Sequence, residues 1–148
     1  MTASAAFNPD HLATRTDLGS MSVTLIGPLQ KDSDTNGFIE FTIKPKTEPD
    51  CFHLVGSLVA ELDNAIRYEL QIVAYWFLPQ DALPTEEQLR DFALHRGLFD
   101  LIAVVNHEIR GLGIRYGYPY PSFGGPEIEQ LRKEIMNESR DVFTIPSE

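Results

Sequence analysis

The chain has 148 residues, 43% hydrophobic and 23% charged, with a formal net charge of −10. That length suits one domain with a real core, and the acidity argues against nucleic acid or an anionic membrane as a default partner. A single cysteine, Cys51, excludes an internal disulfide framework and suits a reducing compartment, so a cytoplasmic protein is expected.

Residues 1–19 are small and polar and read as a flexible N-terminal arm, with a turn of helix near Asp10 to Arg15, ahead of a single domain over 20–148. The N-terminus lacks a basic stretch followed by an apolar one, as a secretory leader would have. No apolar run approaches the ~20 residues needed to span a bilayer, so no membrane insertion is expected. "MSVTLI" gives a first strand, Met21 to Ile26, stopped by Gly27-Pro28. The loop "KDSDTNG" leads into "FIEFTIKPK", where Ile39, Phe41 and Ile43 share one face.

Phe52, Leu54, Leu58, Ala60 and Leu62 then alternate with polar and small residues. So do Ile66, Tyr68, Leu70, Ile72, Ala74 and Trp76 beyond Asp63-Asn64. These long period-2 runs predict an antiparallel hairpin with one core face. On the other face Val55, Val59, Val73, Tyr75 and Phe77 make the distal part apolar, while Arg67, Glu69 and Gln71 keep the turn end polar. Either a helix or a second subunit covers that part, or it forms an open hydrophobic groove.

From residue 85 the period becomes helical. Thr85 with Gln88 forms a capping box, and Glu86 and Glu87 suit the helix N-terminus. Leu89, Phe92 and Ala93 carry the apolar face to Gly97, where a bend is expected. Leu98, Leu101, Ile102, Val105, Ile109 and Leu112 continue it, until Gly111, Gly113 and Gly117 end the helix. This stripe is broad enough to need more cover than one sheet supplies. Leu101, Ile102, Val105, Ile109 and Leu112 are therefore expected at an oligomer interface. "RYGYPYPSFGG" cannot continue the helix, because Pro119 and Pro121 lack donors and push the preceding tyrosines toward extended geometry. A last helix starts near Pro126, with Ile128, Leu131 and Ile135 on its apolar side. Strands first and helices after make an α+β fold: a four-stranded antiparallel sheet, a long helix, an extended crossover and a C-terminal helix.

No catalytic or metal constellation emerges. His11, His53, His95 and His107 are scattered, and Cys51-Phe-His53 has no second pair of ligands. "NHEIR" lacks the second histidine of a zincin, "GLGIRYG" follows a helix instead of opening one, and Ser57 sits outside any nucleophile elbow. No enzyme, cofactor or metal is expected.

The segment "LFDLIAVVNHEIRGLGIRYGYPYPSF", residues 98–123, resembles the central signature of the SecB export-chaperone family. There an apolar helix ends in an arginine, a small residue, a glycine, an aromatic and a proline before an apolar extended stretch. Here the ending is Arg115, Tyr116, Gly117, Tyr118, Pro119, with Tyr120 to Phe123 as the stretch. The resemblance implies dimers of dimers with sheets outside and long helices at the interface. It also implies nucleotide-independent binding of unfolded polypeptides in hydrophobic grooves, in service of the protein-export motor, of a toxin–antitoxin system or of a mobile element. The candidate client-binding residues are Val55, Val59, Val73, Tyr75, Phe77, Tyr118, Tyr120 and Phe123. The alternative is an acidic regulatory or inhibitory protein that grips one specific protein partner.

Overall fold

The computed structural model describes residues 6–27, 37–63, 65–138 and 140–147. Pro28, residues 31–36 of the loop and Asn64 of the hairpin turn lie outside them. Four strands, β1 (Arg15–Leu25), β2 (Phe38–Thr47), β3 (Cys51–Leu62) and β4 (Ile66–Phe77), form one antiparallel sheet in the order β1-β4-β3-β2. Helices α1 (Glu86–Phe92), α2 (Leu98–Tyr116) and α3 (Gly125–Met136) follow, so the α+β architecture is as expected.

The alternation of β3 and β4 decides which face is core. Phe52, Leu54, Leu58 and Ala60 are buried with Ile66, Tyr68, Leu70, Ile72, Ala74 and Trp76. Trp76 meets Phe92 of α1 edge-on at 5.1 Å and stacks near Phe52 at 5.9 Å. The Thr85–Gln88 capping box is present in both directions. The expected bend at Gly97 is a π-helical turn over Ala93–Gly97. There a Cβ on Gly97 would stand 3.2 Å from Trp76, so the helix approaches the sheet closely at that point.

Two expectations need correction. The first strand begins at Arg15, not Met21, so residues 15–19 of the supposed arm are paired with β4, and a 3-10 turn over Pro9–His11 precedes them. Gly111 and Gly113 lie inside α2; Gly117, at φ 70°, ends it in the left-handed region that glycine adopts without strain. Leu101, Ile102, Val105, Ile109 and Leu112, expected at an oligomer interface, are all buried within the single chain, where they pack as core. The extra cover comes from the crossover and α3, which add Phe123, Leu131 and Ile135 to the same cluster. The apolar side chains that α2 leaves exposed are others: Phe99, Ile114 and Tyr116.

Candidate functional site

The crossover is a fixed strut. The Tyr68 hydroxyl, rising from the helix side of β4, donates to the Pro119 carbonyl at 2.7 Å. Burial pushes the Tyr68 phenol up to about 12, with Tyr118 and Tyr120 adding to the shift. Asn106 of α2 clamps Phe123 through both backbone groups: its amide donates to the Phe123 carbonyl at 3.0 Å, and its oxygen accepts the Phe123 N–H at 2.9 Å. Gly113 lets the strut lie close, since a Cβ there would sit 2.7 Å from the Tyr120 ring and 2.9 Å from the Tyr68 hydroxyl.

This strut borders a groove beside β2. One concavity of about 340 Å³ is lined by Ile39, Phe41, Phe123, Leu131 and Pro126, with Glu127, Gln130 and Glu134 along its α3 lip. A second of about 450 Å³ continues past Ile39 to Phe38, Leu62, Pro121 and Ser122. Phe41 and Phe123 meet edge-on at 5.2 Å and form the floor.

The edge of β2 along this groove is bare. At the β2–β3 turn the Glu48 N–H donates to the Cys51 carbonyl at 2.8 Å and Cys51 returns a bond at 3.4 Å. With the unbroken register beyond that turn, even-numbered β2 residues exchange bonds with β3, and odd-numbered ones point their backbone groups outward. Pro45 fits that parity, because its missing donor falls on the outer side. The outward groups of Ile39 and Phe41 have no hydrogen-bond partner among the described residues. Toward the end of the strand the edge is covered, where the Thr47 hydroxyl donates to the Val142 carbonyl of the C-terminal tail.

The expected client residues do not come together. Val55, Val59, Val73, Tyr75 and Phe77 lie on the open face of the sheet, away from the helices, whereas Tyr118, Tyr120 and Phe123 lie on the helix side. On the open face Tyr75 stacks near His53 at 6.0 Å, meets Phe77 edge-on at 5.7 Å, and Arg15 lies over Phe77 at 5.6 Å. Asp17, Glu48 and Asp50 border these aromatics in a concavity of about 410 Å³. Neither a helix nor another element covers this face among the described residues. Cys51 opens into it, 5% exposed, its thiol pKa raised by burial and then by Asp50 and Glu48. Phe123 lies at the floor of the groove, 4% exposed and fastened by Asn106. Sequence reasoning missed Ile39, Phe41, Leu131 and Pro126 as groove residues. The readable signal was Asn106, a polar residue interrupting an otherwise apolar helix segment.

No protein-family model and no curated protein sequence matches the chain. Among solved structures, a SecB-like chaperone of Mycobacterium tuberculosis superposes with a TM-score of 0.63 at 17% identity, over 78% of this chain and 91% of its own. The chain has a SecB-like fold. That neighbour was solved in complex with a ChAD peptide from the HigA1 antitoxin. A protein of unknown function from Streptococcus agalactiae aligns over 77% of this chain and 98% of its own at 10% identity, but its TM-score of 0.35 is too low to bear on the SecB-like fold. Among the described residues no group of three or more His, Cys, Asp or Glu is placed to hold a metal ion, and no helix is long and apolar enough to cross a membrane.

Proposed function

We propose that the protein is a nucleotide-independent chaperone that holds non-native polypeptides as extended segments in the β2 groove. One observation carries this reading: unpaired backbone groups at Ile39 and Phe41 run beside a floor of Phe41, Phe123 and Leu131. An extended chain laid there pairs its backbone with β2 and turns alternate side chains onto that floor. The peptide-bound state of the structural neighbour supports the same use of the fold. We further propose a cytoplasmic homo-oligomer, dimer or tetramer, joined through the exposed side of α2 that carries Phe99 and Ile114. The clients come from export or from a toxin–antitoxin partner. The acidic lip of Glu127 and Glu134, on a chain of net charge −10, favours a second reading in which the groove grips one specific basic partner.

The test is Ile39→Pro, which deletes an outward N–H while leaving the bonds to β3 intact, as Pro45 already does. Holding of a permanently unfolded, carboxymethylated protein should weaken about 3- to 10-fold, the worth of one hydrogen bond. A folded Ile39→Pro variant that holds the unfolded protein as tightly as the parent places clients elsewhere. Retention of only one lysate protein, with no affinity for the unfolded one, favours the second reading.

A further inference from the structure

The residues ahead of β1 are fastened by a small set of side-chain ties. Asn8 caps the turn over Pro9–His11, its side-chain oxygen accepting the Asp10 N–H at 3.0 Å. Arg96, in the π-helical turn, donates from Nη1 to Asp10 at 2.8 Å and to the Pro9 carbonyl at 3.0 Å, and its Nε lies 3.9 Å from Asp100. The Thr14 hydroxyl donates to Asp100 at 2.6 Å and accepts the Trp76 indole N–H at 2.9 Å. Between these polar ties Leu12 is buried in the core, and Phe7 packs half-buried against it. The start of β1 is paired with β4 through its backbone but buries no side chain. Arg15, Thr16, Asp17 and Leu18 are all exposed, and the register with β4 shifts between Leu18 and Ser20, so the ladder is interrupted at Gly19. Residues 6–18 thus have a latch at one end, a bulge at the other, and one buried side chain between.

We propose that residues 6–18 form a displaceable strap, with Arg96 as its latch and the Gly19 bulge as its hinge. Its seat along Ile72–Tyr75 of β4 and beside Trp76 is then a second binding site for an extended polypeptide segment supplied in trans. The present occupant defines the chemistry of any replacement. It carries a carboxylate for Arg96, an apolar side chain two residues on, a hydroxyl two residues beyond that for the Trp76 indole and Asp100, and then extended backbone for β4. An empty seat would leave the Trp76 N–H and the outward groups of β4 without partners, so opening is coupled to filling. The site sits on the opposite edge of the sheet from the β2 groove and does not depend on it. Segments held by few apolar contacts open locally, well below the cost of global unfolding.

Full-length parent and Arg96→Gln proteins test this with a synthetic peptide of residues 6–18 as probe and the same peptide carrying Leu12→Glu as control. Trp76 is the only tryptophan, so its emission reports the seat. In the parent, amides of residues 12–18 should exchange hydrogen at least about tenfold faster than those of Leu54 to Leu58 in β3, and Arg96→Gln should widen that gap. Arg96→Gln should also bind the probe about fivefold or more tightly than the parent, with a change in Trp76 emission, because a larger share of molecules has an open seat. Exchange of residues 12–18 as slow as β3 in the parent overturns the proposal, whether or not the variant folds. A probe that binds no better than its Leu12→Glu control also overturns it. Ile39→Pro leaves both readouts unchanged, so failure here is separable from failure of the groove.

Discussion

Two glycines two residues apart on α2 should respond to the same substitution with opposite sign. Replacing a helix-interior glycine by alanine normally stabilises by about 0.5–1 kcal/mol, because alanine restricts the unfolded chain and favours helix. Gly111 is exposed and a Cβ there meets nothing within 4 Å, so Gly111→Ala should show that gain in full. At Gly113 the new carbon would stand 2.7 and 2.9 Å from Tyr120 atoms and 2.9 Å from the Tyr68 hydroxyl. Relief requires the crossover to lift, which strains the Tyr68 hydrogen bond to Pro119. Overpacking of this kind costs about 1–3 kcal/mol, more than the propensity gain, so Gly113→Ala should be destabilised by roughly 1–2 kcal/mol. For 148 residues each kcal/mol moves the melting temperature by about 3 °C. Calorimetry should therefore place Gly111→Ala roughly 1.5–3 °C above the parent and Gly113→Ala about 3–6 °C below it. Equal melting of the two variants would refute the account of the strut as a close-packed element.

Two more outcomes rest on burial. Tyr68 holds its proton more tightly in the folded state, with its pKa raised to about 12, so its share of stability is complete below pH ~10 and is lost as pH rises toward 12. Tyr68→Phe should flatten that alkaline decline in urea midpoints measured from pH 8 to 11; a decline parallel to the parent's counts against it. Val105→Glu should unfold the chain, since Val105 is fully buried, whereas Ile114→Glu, at a site 60% exposed, should keep the fold and shift sedimentation toward smaller species. A folded Val105→Glu protein that merely dissociates would restore the buried stripe as an interface.

The sheet was legible in the sequence because β3 and β4 bury one face and leave the other to solvent or half-covered, and such strands write a period of two. Leu54, Leu58, Leu70, Ile72 and Trp76 are buried as that period requires. The start of β1 was not legible. "RTDLGS" is exposed along its whole length, so only the ladder to β4 makes it a strand. The apolar stripe of α2 was visible, but its cover was not, because the side chains that share its core, Phe123, Leu131 and Ile135, come from later segments. The groove was missed for the same reason. Phe41 and Phe123 are distant in sequence, and Phe41 alone reads as an ordinary core-face residue of its strand. The proline-stiffened aromatic stretch pointed to a groove role for Phe123, but not to the Asn106 clamp that satisfies its backbone there.

The way β2 is protected along its length bears on what it is for. Exposed edge strands invite pairing with other chains, and proteins blunt them with lysine, proline, bulges or cover. The second half of β2 has these devices: Lys44, Pro45 and Lys46, with the tail tied to Thr47. The first half has none of them. Phe38 and Ile39 are 44% and 47% exposed, Phe41 faces the groove, and the register to β3 is regular with no bulge to twist the edge away. A uniformly unprotected edge would read as a liability tolerated by chance, and a uniformly protected one as mere structure. Protection that stops where the apolar groove begins leaves about one short strand's length of pairing surface, enough for an extended segment and too little for sheet-to-sheet stacking. Under the proposed function, that limit lets one strand hold non-native chains without seeding aggregation of its own fold.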